Sequence, residues 1–155
     1  MAGRNRGGLV QKRFFNKTAA TLVAASVAAC SSSPPASAPP GVLAAGTARV
    51  TINDRELPAT TSVKCSPIGT LTTITTGDMA AGVTALVSNE TGLTAKSVSI
   101  TNLGGFTGTY MKGLDGKADV SMTDQTYVIR GTADGFDTDN PSVRTTGTFA
   151  IRVAC

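Results

Sequence analysis

The chain has no histidine and no tryptophan, few aromatic residues and few charges: of its 155 residues, 5% are aromatic and 15% charged. Without histidine there is no side chain with the usual pKa of a general base near neutral pH, and the commonest metal ligand is missing. A Ser-His-Asp triad, a Cys-His dyad and a His-ligated zinc site are excluded. No Gly-x-Ser-x-Gly elbow, Ser-x-x-Lys motif or phosphate loop occurs. Paired carboxylates are the one catalytic class that composition leaves, and no pair can be nominated. The sequence therefore reads as a non-enzyme, with no catalytic residues, no metal site and no cofactor. Disorder throughout is also excluded, because 41% of the residues are hydrophobic.

The net charge of +4 is unevenly placed. Arg4, Arg6, Lys12, Arg13 and Lys17 precede residue 30, where no acidic residue stands. Beyond Ala29 there are nine basic against ten acidic residues. A nucleic-acid partner read from the high pI has no basis, since the basic excess belongs to the N-terminal segment.

That segment has the layout of an export signal. Basic residues are followed by an uncharged stretch, Thr18 to Ala29, whose twelve residues fall short of the ~20 needed to span a membrane. It ends in Val27-Ala28-Ala29-Cys30. Small residues before a cleavage point let an extended chain enter a peptidase with shallow subsites. The cysteine that follows offers a thiolate for a diacylglyceryl group. The segment resembles a bacterial lipobox, with residues 1–29 as the removed signal peptide and Cys30 as the lipidated N-terminus. This implies a cell membrane location, lipid-anchored, on the extracytoplasmic face. Lys12-Arg13-Phe14-Phe15-Asn16-Lys17 distantly resembles a twin-arginine signal with lysine for the first arginine, and it fits a generic basic leader as well.

Residues 30–48 hold the lipidated cysteine and a Pro/Ser/Ala-rich tether. Such a composition builds no core. Extended at ~3.1 Å per residue, residues 31–48 reach ~50 Å. Ser31, Ser32, Ser33, Ser37 and Thr47 suit O-glycosylation by composition, and a bare linker equally.

From residue 49 to 155 the pattern becomes one of short alternating runs separated by Gly, Asn and Asp turns. Val50 and Ile52 alternate with polar residues before Asn53-Asp54. Val83, Ala85 and Val87 precede Asn89-Glu90-Thr91-Gly92. Phe149, Ile151 and Val153 form the cleanest run. This spacing predicts a mainly β chain: a single antiparallel β-sandwich or open barrel domain. Met79 to Val87 is the one stretch that also fits a short helix, weakened by Gly82. Asp134 to Asn140 does not place glycine and glutamate where an EF-hand needs them; it reads as an acidic turn, with Asn140-Pro141 as a breaker.

Cys65 shares parity with Val63, and Cys155 with Ile151 and Val153, so both thiols are expected to point inward. In an exported chain they are expected to pair as a disulfide. The loop so closed is long enough for ~4–5 kcal/mol of entropic stabilisation.

These features together resemble the mycobacterial nineteen-kilodalton lipoprotein antigen family. The resemblance is carried by Cys30 with its tether, Ser62-Val63-Lys64-Cys65, Lys96-Ser97-Val98, and Gly131-Thr132-Ala133-Asp134-Gly135-Phe136-Asp137 followed by Asn140-Pro141 and the terminal Cys155. It implies a surface-exposed envelope lipoprotein whose acylated N-terminus is a Toll-like-receptor ligand, attached to the membrane through its lipid anchor. The alternative from the residues is an envelope lipid or glycolipid carrier, in which small side chains on the sheet faces leave an apolar cavity.

Overall fold

The computed structural model describes residues 42–155, a region built of ten strands and, among the described residues, no helix. In chain order they are β1 (Ala48–Ile52), β2 (Arg55–Glu56), β3 (Val63–Ile68), β4 (Leu71–Gly77), β5 (Gly82–Ser88), β6 (Thr94–Leu103), β7 (Phe106–Met111), β8 (Lys117–Thr123), β9 (Thr126–Asp137) and β10 (Asn140–Ala154). All belong to one antiparallel sheet of order β2-β1-β10-β9-β7-β6-β5-β4-β3, with β8 paired to β9 beside β7.

Local sequence explains the succession of hairpins. Asn53 and Asp54 both adopt positive φ, 49° and 62°, as the tight β1–β2 turn demands. Asn53 also fixes that turn to the sheet: its Oδ1 accepts a hydrogen bond from the Thr148 N–H, and its own N–H donates to the Thr148 carbonyl. Gly104 and Gly105, at 61° and 83°, turn β6 into β7. Along β10, Phe149, Ile151 and Val153 are buried while Arg152 and Ala150 between them are more exposed, the period-two pattern of a strand with one inward face.

The sheet folds over on itself without closing into a barrel. Its inward residues, from β1, β4, β5, β6, β7, β9 and β10, form one core cluster. Phe106, Ile52, Ile74, Ile100, Ile129 and Ile151 are its largest fully buried side chains. Towards the open seam, Ala48 at the start of β1 exchanges two backbone hydrogen bonds with Thr60, just ahead of β3. β2 and β3, the ends of the sheet order, do not pair with each other.

Three local expectations change. The stretch from Met79 to Val87 is no helix: Asp78–Ala81 is a tight loop and β5 begins at Gly82. The carboxylate of Asp78 accepts the Ala80 and Ala81 N–H groups, both at 2.8 Å, so the loop's donors are satisfied without a helical turn. The acidic stretch is mostly strand, because β9 runs to Asp137 and only Thr138-Asp139 turn. Asn140-Pro141 does not break the chain. It opens β10 beside a register shift between Asn140 and Arg144, where proline's missing N–H interrupts no ladder. Residues just ahead of β1 are already bound to the sheet: the Leu43 N–H donates to Thr126 Oγ1, and the Gly46 N–H to the Ala154 carbonyl.

Candidate functional site

Cys30 and the lipobox lie outside the described residues, as do residues 31–41 of the tether. The described region contains the other two sequence-predicted positions and brings them together. Cys65, in β3, and Cys155, immediately after β10, form a disulfide with Cα atoms 5.9 Å apart, inside the range such bonds require. It joins the last strand in sheet order to the chain terminus across 90 residues of sequence. The expectation of two inward thiols holds for Cys65, which packs against the core cluster, and not for Cys155. Cys65 is half-buried and Cys155 exposed. Val153 and Ala154 are both buried. The Cys155 N–H donates to the Gln125 carbonyl, in step with the β9–β10 register.

Carboxylates do not converge on a metal site: among the described residues, no group of three or more His, Cys, Asp or Glu side chains is placed to hold one. Within the acidic stretch, Asp134 and Asp137 are three residues apart on β9 and so project from opposite faces. Asp134 Oδ1 accepts a hydrogen bond from the Thr146 hydroxyl at 2.7 Å. Asp134 also borders a shallow polar cleft with Asp115, Arg144 and Thr145. The Ala81 and Ala80 N–H groups hold the Asp78 carboxyl below its ordinary 3.8. It is an exposed loop anchor.

No sequence feature points to where a cavity falls. One lies at the open seam, with a volume of about 300 Å³. Val50 of β1, Leu57 and Pro58 of the segment after β2, Thr76 of β4, Ala81 of the Asp78 loop and Leu103 of β6 contribute to its wall. No charged residue does. Thr76 is only 4% exposed, and its hydroxyl has no hydrogen-bond partner. Such a group carries a desolvation cost unless something answers it. The wall is assembled from strand ends and loops scattered over more than fifty residues, so neither period-two patterning nor a local motif announces it.

The glycines of the family-like string have a packing role. A side chain at Gly131 would run into the Lys117 carbonyl of β8, and one at Gly135 into the Thr107 carbonyl of β7. The motif is therefore a constraint on how closely β7 and β8 pack along β9.

Comparison with known proteins agrees with this picture. Residues 41–155 match the family model described as the Mycobacterium 19 kDa lipoprotein antigen. A protein of Mycobacterium indicus pranii that bears a lipoprotein name is 40% identical over 119 residues, covering 75% of this chain and 84% of the relative. Lipoprotein LpqH of Mycobacterium avium is 36% identical over 113 residues, 72% of this chain and 70% of its own. LpqH of Mycobacterium tuberculosis strain H37Rv is 32% identical over 113 residues, 72% of this chain and 71% of the relative. With its seam, its disulfide and its glycine-bearing β9 all inside the matched region, the chain belongs to the mycobacterial 19 kDa lipoprotein antigen family.

Proposed function

We propose that this protein is an envelope lipoprotein anchored by acyl chains on Cys30, displayed on the extracytoplasmic face, and that host Toll-like receptors engage its lipidated N-terminus. The observation that carries the reading is the order of signals up to Val27-Ala28-Ala29-Cys30, in a chain that belongs to a lipoprotein family. Each buried methylene contributes ~0.8 kcal/mol to membrane attachment, and a single chain holds only marginally, so anchoring calls for two or three. The same methylenes suit an apolar receptor pocket.

The β domain is the carried antigen and is dispensable for triggering the receptor. Its exposed large hydrophobics, among them Ile68, Met79, Leu114 and Val143, come from separate strands and loops and include no aromatic anchor of the kind that dominates tight interfaces. The test compares a diacylated peptide covering Cys30 to Pro35 with the full chain carrying Cys30→Ala, on receptor-bearing cells. The lipopeptide is expected to signal and the unacylated chain to be silent. Signalling by the unacylated chain alone would overturn the assignment.

A further inference from the structure

We propose that the polar cleft on the outer face of β7, β9 and β10 is a binding site for one neutral sugar residue. The β ladder assembles it. Thr107, Phe136 and Arg144 stand at one register across the three strands, and Thr109, Asp134 and Thr146 at the register two residues along. Residues two apart project from one side of a sheet. That side faces away from the core, since Gly108 and Gly135 between them are buried. Leu114 and Asp115, from the loop after β7, add the remaining wall. Two adjoining depressions share Asp115, Asp134 and Arg144. The larger has a volume of about 300 Å³ and includes Phe136, which places it at the lower end of small-molecule sites.

Phe136 is set apart from the other described aromatics. Phe106, Tyr110 and Phe149 belong to the core cluster and Tyr127 packs against it; Phe136 does neither, and it is half-buried in the cleft wall. Arg144 lies opposite Phe136 across the strands, yet among the described residues it makes no ring contact, and it forms no ion pair with Asp115 or Asp134. Asp134 Oδ1 accepts from the Thr146 hydroxyl at 2.7 Å, which leaves its second oxygen open. One cleft thus holds a guanidinium donor, carboxylate acceptors and an aromatic ring that the protein does not spend on one another. An anion placed there meets two carboxylates, and a cation meets the guanidinium. A neutral ring bearing hydroxyls uses both kinds of group, because each hydroxyl donates and accepts. Its C–H face suits the negative face of the Phe136 ring.

The test follows the amide NMR spectrum of the full chain carrying Cys30→Ala as sugars are added. The probes are the methyl α-pyranosides of glucose, mannose and galactose, each beside its uronic-acid and amino-sugar counterparts. At least one neutral glycoside is expected to give saturable shifts centred on Thr109, Asp134, Phe136 and Arg144. Its charged counterparts are expected to bind at least about tenfold more weakly. Phe136→Leu keeps the apolar bulk and removes the ring; it is expected to weaken binding about threefold to tenfold, the range of a stacked aromatic contact. Arg144→Ala is expected to weaken it about tenfold through the lost charged hydrogen bond. Thr84→Ala, on the exposed face of β5, is expected to leave the affinity unchanged. A dispersed spectrum verifies that each variant is folded, and the exposed Arg144 position serves if Phe136→Leu is not. Absence of saturable shifts with all three neutral glycosides overturns the site, and shifts centred elsewhere overturn its location. A charged counterpart that binds as tightly as the neutral sugar overturns the ligand class. Unchanged affinity in folded Phe136→Leu or Arg144→Ala overturns the recognition described.

Discussion

Phe106 shows how single residues set the packing of this domain. Its ring is fully buried and lies against two glycines from different strands, Gly108 of β7 and Gly147 of β10. A Cβ at Gly147 would sit 2.7 Å from the ring, too close for any real contact. With few aromatics available, one ring fills the space that two side chains would otherwise occupy. Phe106→Ala is expected to cost about 3–5 kcal/mol through the cavity it leaves. Gly147→Val is expected to destabilise by about 1–3 kcal/mol through overpacking. Chemical denaturation curves of the two variants check both. Asp78 carries a different residue-scale prediction. Its folded pKa is depressed by the Ala81 and Ala80 N–H groups, so its contribution is present above 3.8 and is lost as pH falls below that through the folded value. A carboxyl NMR titration should find Asp78 titrating below 3.8, and Asp78→Asn should flatten the acid limb of the stability profile without changing stability's slope near neutrality.

At the scale of elements, alternation was the legible signal. Phe149, Ile151 and Val153 were readable as the inward face of β10, and Asn53-Asp54 as a turn, because both depend on neighbours in sequence. The Met79 to Val87 stretch was ambiguous because an alanine-rich loop precedes Gly82, and the side chain of Asp78 that secures the loop acts at two and three residues' distance. Pro141 reads as a breaker in any local scheme; only the register shift opposite β9 reveals how a strand accommodates it. The seam cavity was illegible for a related reason: its lining residues meet only through sheet topology. The β1–β2 turn offers an element-scale test. Asp54 sits at φ 62°, a region where glycine carries no steric cost. Asp54→Gly should leave the hairpin intact and raise stability by about 0.5 kcal/mol, whereas Asn53→Gly should lower it, because the Thr148 N–H loses its acceptor. Paired thermal melts of the two variants read the difference in sign.

For the whole molecule, the disulfide is what closes an open sheet. Hydrogen bonding leaves β2 and β3 as ends, and Cys65–Cys155 spans from β3 to the chain terminus. Replacing both cysteines by alanine is expected to cost about 2–5 kcal/mol, with the loss felt first at the β3 edge and near Cys155. Hydrogen exchange should show faster amide turnover in β3 and at Cys155 than in β9. Both cysteines could be read from parity and compartment, whereas the exposure of Cys155 could not. The proposed lipid anchor, on which location and receptor engagement would depend, rests on Cys30. The most direct measurement is the mass of the mature chain extracted with detergent from the membrane fraction, followed by mapping of its first peptide. The expected species is a chain that begins at Cys30 and carries a diacylglyceryl group there. A mature chain with a free or internal Cys30 thiol, recovered in the soluble fraction, would contradict it.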